Sequence, residues 1–115
     1  MLLGTSIAGE YFELSNMHDL DRIASLFTDD TEYISANTGT FRGHGEIMAM
    51  MRAFHNSFKE LHWKVHTTKE TQPDTFLFDF TMEGIKLDGT KVCVDGLEYI
   101  TVQNEKIMRI EIKNS

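Results

Sequence analysis

From Leu61 onward the spacing of apolar residues changes from helical to two, and it keeps that period almost to the end of the chain. Leu61, Trp63, Val65 and Thr67 alternate with His62, Lys64, His66 and Thr68. Phe76, Phe78, Phe80 and Met82 alternate with Leu77, Asp79, Thr81 and Glu83. Val92, Val94, Gly96, Glu98, Ile100 and Val102 share one face of the next segment, and KIMRIEIK (106–113) follows. Turn signals separate the segments: Glu70 to Asp74 with Pro73, then Asp88-Gly89, then Gln103-Asn104-Glu105. Four long strands joined this tightly predict an antiparallel sheet with one apolar face. The residues before Leu61 must cover that face.

Those residues read mainly as helix. Ile7, Tyr11 and Leu14 fall at i, i+4 and i+7, which predicts a helix over Ser6–Ser15. Asp19 is a good N-cap for a second, Leu20–Phe27, and the two should form an angled pair. Thr31–Ala36 favours a strand, and Asn37-Thr38-Gly39-Thr40 a loop. A long helix is expected over His44–Leu61, with Ile47, Met51, Phe54 and Phe58 on its buried face. Helices segregated against an antiparallel sheet make an α+β fold. A sheet that must coil around the long helix to bury its face gives a cone with a cavity, behind a two-helix N-terminal pair.

Register decides what faces that cavity, because a one-residue slip turns a whole strand over. A two-residue turn at Asp88-Gly89 would set Asp79 opposite Glu98. A three-residue loop, Leu87-Asp88-Gly89, sets Phe78 opposite Glu98 and Phe80 opposite Gly96, and so joins two apolar rows into one wall. We take the second. A three-residue turn at Gln103–Glu105 would pair Ile100 with Met108, Glu98 with Ile110, and Gly96 with Ile112. Glu98 is then the anomaly, a carboxylate in an apolar row. Burial there penalises its charged form and raises its pKa, which suits a general acid or base.

The bulk properties exclude several classes. A chain of 115 residues with 41% hydrophobic and 25% charged residues is a single globular domain, 1–115. The net charge of −7, with no basic cluster, argues against nucleic acid. No apolar run is long enough to span a membrane, and MLLGTSIAGEYFE lacks the build of a signal peptide. One cysteine, Cys93, forms no internal disulfide, so a cytoplasmic setting is expected. His62 and His66 share a strand face but lie about 13 Å apart, too far for one ion, so no metal or other cofactor is expected.

The segments YFELSNMHDLDRIASLFTDDTEY, FRGHGEI and VCVDGLEYITVQNEKIMRI, in this order and spacing, resemble the nuclear transport factor 2-like superfamily. Within it the chain is similar to the SnoaL-like polyketide cyclase and ketosteroid isomerase group. The resemblance implies a cone-shaped α+β barrel, a pocket between long helix and sheet, and a homodimer across the sheet's outer face. It implies that Tyr11 matches the oxyanion-donating tyrosine of ketosteroid isomerases and that Glu98 falls near their second, acidic donor. The proton-shuttling aspartate of their first strand falls on Ser35, so that base is absent here.

The expected site therefore has Glu98 and Tyr11 as catalytic residues. Tyr33, Ser35 and His55 are further polar contacts. Met51, Phe54, Phe58, Trp63, Phe78, Phe80, Ile100, Ile110 and Ile112 are the walls. Each wall residue also has a plainer role in the core, and Glu98 could simply be satisfied by Tyr11, Tyr33 or a backbone amide. Three functions fit: an isomerase- or cyclase-type enzyme acting on a hydrophobic carbonyl or cyclic molecule, a non-catalytic carrier of an apolar ligand, and a dimeric association module. For the last, Leu77, Leu97, Tyr99 and part of Cys93 form the outward apolar surface.

Overall fold

The computed structural model describes residues 4–114, so Met1–Leu3 of the N-terminal stretch and Ser115 lie outside the described residues. Helix α1 spans Gly4–Met17 and α2 spans Leu20–Ala24. Strands β1 (Glu32–Ser35) and β2 (Gly39–Arg42) lead into α3 (Gly43–Asn56). Four strands follow: β3 (Phe58–Gln72), β4 (Thr75–Lys86), β5 (Lys91–Gln103) and β6 (Lys106–Asn114). All six form one curved sheet in the order β2-β1-β6-β5-β4-β3. The β1–β6 contact is parallel and the other pairings are antiparallel. No helix among the described residues is long and apolar enough to cross a membrane.

The expected β4–β5 register is the observed one: Phe78 pairs with Glu98, Phe80 with Gly96, and Asp79 with Leu97. Gly89, at φ 91, turns the three-residue loop and donates its N–H to Lys86 O at 2.9 Å. Gly96 is needed for packing, since a Cβ there would meet the Phe80 ring at 2.6 Å.

Besides α2, which ends at Ala24 with Ser25 as its C-cap instead of reaching Phe27, three expectations need correction. The last hairpin is displaced by two residues: Ile100 pairs with Ile110, Glu98 with Ile112, and Gly96 with Asn114. Asn104 and Glu105 both take positive φ (54 and 64), which makes a two-residue hairpin turn of the type that matches strand twist. A register shift after Thr101 leaves Met108 as an extra residue in β6. Because the displacement is even, Ile110 and Ile112 keep their face. Second, α3 stops at Asn56, short of Leu61. Ser57 caps it, with both its N–H and its Oγ–H donating to Phe54 O, at 3.1 and 2.6 Å. Phe58 therefore begins β3 opposite Lys86. Third, the loop at Asn37–Thr40 is a tight turn into β2, opened by Gly39 at φ 106.

The core lies between α1, α3 and the sheet's inner face. Ile7, Phe12, Ile23, Ile47, Phe78, Ile100 and Ile110 are all buried in it.

Candidate functional site

A cavity of about 260 Å³ opens in that layer. Helix α1 contributes Tyr11 and Ser15, and α3 contributes Met50, Met51, Phe54 and His55. Strand β1 contributes Tyr33 and Ser35, while β3 adds Phe58 and Trp63. Phe80, Met82, Val92, Val94 and Ile112 complete the sheet side. Ten residues expected at the site thus come together on one cavity: Tyr11, Tyr33, Ser35, Met51, Phe54, His55, Phe58, Trp63, Phe80 and Ile112.

Four others expected there are not part of its surface: Glu98, Phe78, Ile100 and Ile110. Helix α1 packs over the middle of the sheet, and the Phe12 ring sits 4.8 Å from Phe78, filling the space in front of it. Ile100 and Ile110 pair with each other across β5 and β6 and are fully enclosed. Ser35 lines the cavity, but its Oγ is also engaged in closing the β1–β2 turn, accepting from Asn37 N (3.1 Å) and Thr38 N (3.3 Å).

Several lining residues were not anticipated. Met82, Val92 and Val94 continue the alternation that contains Phe80 and could have been read from it. Asn37 and Thr38 enter only through the turn into β2, and Lys86 from the far end of β4, where no local pattern marks them.

Glu98 is buried on β5 and is not on the cavity surface. Phe78 and Ile112 flank it on the adjacent strands, and it is 2% exposed. Its Oε2 is buried with no hydrogen-bond partner among the described residues. Burial alone pushes its pKa up to about 8, so at neutral pH the carboxyl is mostly a neutral acid. Tyr11 and Tyr33 sense this group: burial first, and then a charge on Glu98, raises both phenols well above their ordinary range. Both hydroxyls stay protonated. Ser15 donates its Oγ–H to Tyr11 O at 2.7 Å, a bond internal to α1.

The α3–β3 end of the cavity carries a different polar group. His55 packs beside Trp63, with ring centroids 5.4 Å apart, and its Nδ1 lies 2.9 Å from Nδ1 of His18. Burial, and then the His18 charge, push His55 down to about 4, so it is a neutral imidazole at ordinary pH. Asn16 holds this corner by pairing with both backbone groups of Trp63: its Nδ2 donates to Trp63 O (2.9 Å), and its Oδ1 accepts from Trp63 N (2.7 Å). At neutral pH, then, the tyrosines and His55 give a largely apolar chamber hydrogen-bonding groups without formal charge, and Lys86 adds a basic side chain to its lining.

Comparison with known proteins fits this architecture. The SnoaL-like domain family matches residues 8–110. Comparison with curated proteins gives no match. Among solved structures, an NTF2-like protein of unknown function from Burkholderia pseudomallei is 16% identical, with 100% of this chain and 92% of that one covered and a TM-score of 0.86. The epoxide hydrolase/cyclase-like enzyme SalBIII, of pyran ring formation in the polyether salinomycin, is 15% identical, with 97% and 90% covered and a TM-score of 0.85. TerC, co-crystallised with polyporic acid, is 19% identical, with 97% and 91% covered and a TM-score of 0.84. At these identities the likeness is one of fold.

Proposed function

The chain belongs to the SnoaL-like domain family, and from that premise we propose that it is an isomerase- or cyclase-type enzyme for a compact, uncharged carbonyl or cyclic molecule. The observation that carries this is the unpartnered, buried Oε2 of Glu98, whose carboxyl is near enough to two cavity-lining tyrosines for its charge to act on both. An orphaned buried carboxyl is costly to the fold, by about 1–3 kcal/mol, and needs a reason to be there. In this reading Tyr11 or Tyr33 donates to a ligand oxygen as negative charge develops on it. Glu98, with its pKa pushed up to about 8, would exchange the accompanying proton through an intervening water, since no hydrogen bond among the described residues joins it to either hydroxyl. The cavity is slightly smaller than the roughly 300–1,000 Å³ of sites for drug-sized ligands, which favours one or two fused rings. Its mostly aromatic and aliphatic lining favours an apolar body.

The test is a Glu98→Gln variant assayed on a panel of small ketones and cyclic ethers. It should fold and bind as the native protein does, but lose turnover. Retained turnover removes Glu98 from the chemistry. One observation favours a second reading, that of a non-catalytic carrier: Glu98 does not itself reach the cavity surface. Native mass spectrometry of the purified protein separates the two, because a carrier keeps its ligand through purification and an enzyme is recovered empty.

We also propose a homodimer through the outer face of the sheet, where Leu77, Leu97 and Tyr99 are only half-buried. An acidic chain with a single cysteine suits a cytoplasmic setting.

A further inference from the structure

The chemistry above leaves His18 and His55 without a role, yet the fold holds them in place. His18 is the first residue past α1, in the left-handed region at φ 57. Its N–H donates to Ser15 O (3.1 Å), and the next amide, Asp19 N, donates to Leu14 O (3.0 Å). This closure of the helix sets the His18 ring against the last turn of α3, nearly perpendicular to the His55 ring at 84°.

Two neutral imidazoles joined through their Nδ1 atoms share one proton, so their tautomers are coupled. If His55 donates at Nδ1, its Nε2 is a bare acceptor. If His18 donates, His55 must carry its proton on Nε2. His18 is the exposed member, while His55 is half-buried among Phe54 and Trp63. Water stabilises positive charge developing on His18 better than on His55, so His18 is the better acceptor and His55 the donor. Nδ1 is the His55 nitrogen with a protein partner among the described residues, and Nε2 is the free ring nitrogen of a residue that lines the cavity.

The position of this acceptor relative to the tyrosines follows from the fold. Tyr11 and His18 are separated by seven residues of α1 and its end, about 10 Å along the axis. Tyr33 is on β1 and Trp63 on β3, with β6, β5 and β4 between them in the sheet. The donors and the acceptor lie toward opposite ends of one cavity.

We propose that this cavity takes a ligand with a carbonyl or ether oxygen at the Tyr11–Tyr33 end and a hydroxyl at the His55 end, and that His18 fixes the His55 tautomer that accepts the hydroxyl. This rests on the cavity being a small-molecule site. A His18 protonated on both nitrogens would have to donate to His55 Nδ1, which would turn His55 Nε2 from acceptor to N–H donor. His18 is the charged group whose field reaches His55; Asp19, its neighbour in the chain, is turned to α2 as the acceptor for Arg22 N at 3.2 Å. Phe54 and Trp63, from α3 and β3, add no charge.

Two measurements test the proposal. The first is nitrogen NMR of the imidazoles, assigned with His55→Leu. It should show His55 Nε2 unprotonated in the neutral protein. A proton on Nε2 in the neutral protein overturns the proposal. The second compares binding of 4-hydroxyacetophenone with that of its methyl ether. The native protein should prefer the hydroxyl probe about tenfold, the worth of one hydrogen bond. His55→Leu should bring the ratio to about one, and His18→Phe should lower it. Equal binding of the two probes to the native protein, or a preference that survives His55→Leu, overturns the ligand assignment. If neither probe binds, the carbonyl-site reading itself fails and this assignment fails with it.

Discussion

Phe80 lies across Gly96, its cross-strand partner, so closely that a Cβ on Gly96 would meet Cζ at 2.6 Å and Cε1 at 2.9 Å. Phe80 also forms part of the cavity wall. Gly96→Ala must therefore displace the outer edge of the Phe80 ring. We expect a loss of about 1–3 kcal/mol in chemical denaturation, typical of overpacking, and weaker binding of any cavity ligand as the ring is displaced. Native stability in the variant would show that Phe80 relaxes freely.

Glu98 and His55 shape the dependence of stability on pH, with opposite signs. Glu98 ionises near 4.5 ordinarily and near 8 when folded, so its contribution is complete below about 4.5 and is lost as pH rises to about 8. His55 protonates near 6.5 ordinarily and near 4 when folded, so its contribution is complete above about 6.5 and is lost as pH falls toward 4. The two slopes oppose each other below 6.5. Above it Glu98 acts alone, with a slope on the order of 1.4 kcal/mol per pH unit. Urea titrations should show stability falling between about pH 6.5 and 8, and Glu98→Gln should flatten that fall. A slope unchanged in the variant would place its origin elsewhere.

Asn16→Ala removes both side-chain bonds to the Trp63 backbone and leaves an amide and a carbonyl unpaired at a half-buried residue of an otherwise largely exposed strand. The expected loss is about 1–3 kcal/mol. Trp63 is the single tryptophan, so its fluorescence reports this site directly. Emission should shift to the red in the folded variant, while an unshifted spectrum would mean that His55 and Phe54 hold the indole without the clamp.

Tyr99 sits on the outer face with Lys113 Nζ 5.4 Å from its ring centre. If that face joins two protomers, Tyr99→Glu should convert a dimer to a monomer in gel filtration while leaving cavity binding intact. An unchanged elution volume rules out this interface.

The inner faces of β4 and β5 were legible because alternation and a Gly-containing loop together leave one register that keeps Phe78, Phe80 and Gly96 on one surface. The last hairpin was misplaced by two residues. Asn104 and Glu105 both adopt left-handed backbone, which no rule of alternation requires of a glutamate, and the extra Met108 is invisible to a pattern of period two. Helix α3 was overextended because Phe58 satisfies the helical spacing as well as the strand's. The residues around the cavity were mostly recoverable from face alone. The position of Glu98 off the cavity surface was not, because it depends on where Phe12 of α1 settles against Phe78. The His18–His55 contact joins residues 37 positions apart and follows no periodicity.

The strand order carries a consequence for how the chain acquires its shape. β6 sits between β1 and β5, so it is the sole link between the β1–β2 hairpin and the rest of the sheet. It is also the last of the six strands to be synthesised. The N-terminal hairpin leaves the ribosome long before its partner exists, and the contact between Glu32 and Arg109 must close about two thirds of the length of the chain. Such non-local pairing is slow. The nascent protein therefore spends most of its synthesis with Tyr33 and the α1 face uncovered, and a ribosome stalled before Lys106 should yield a chain that proteases cut readily.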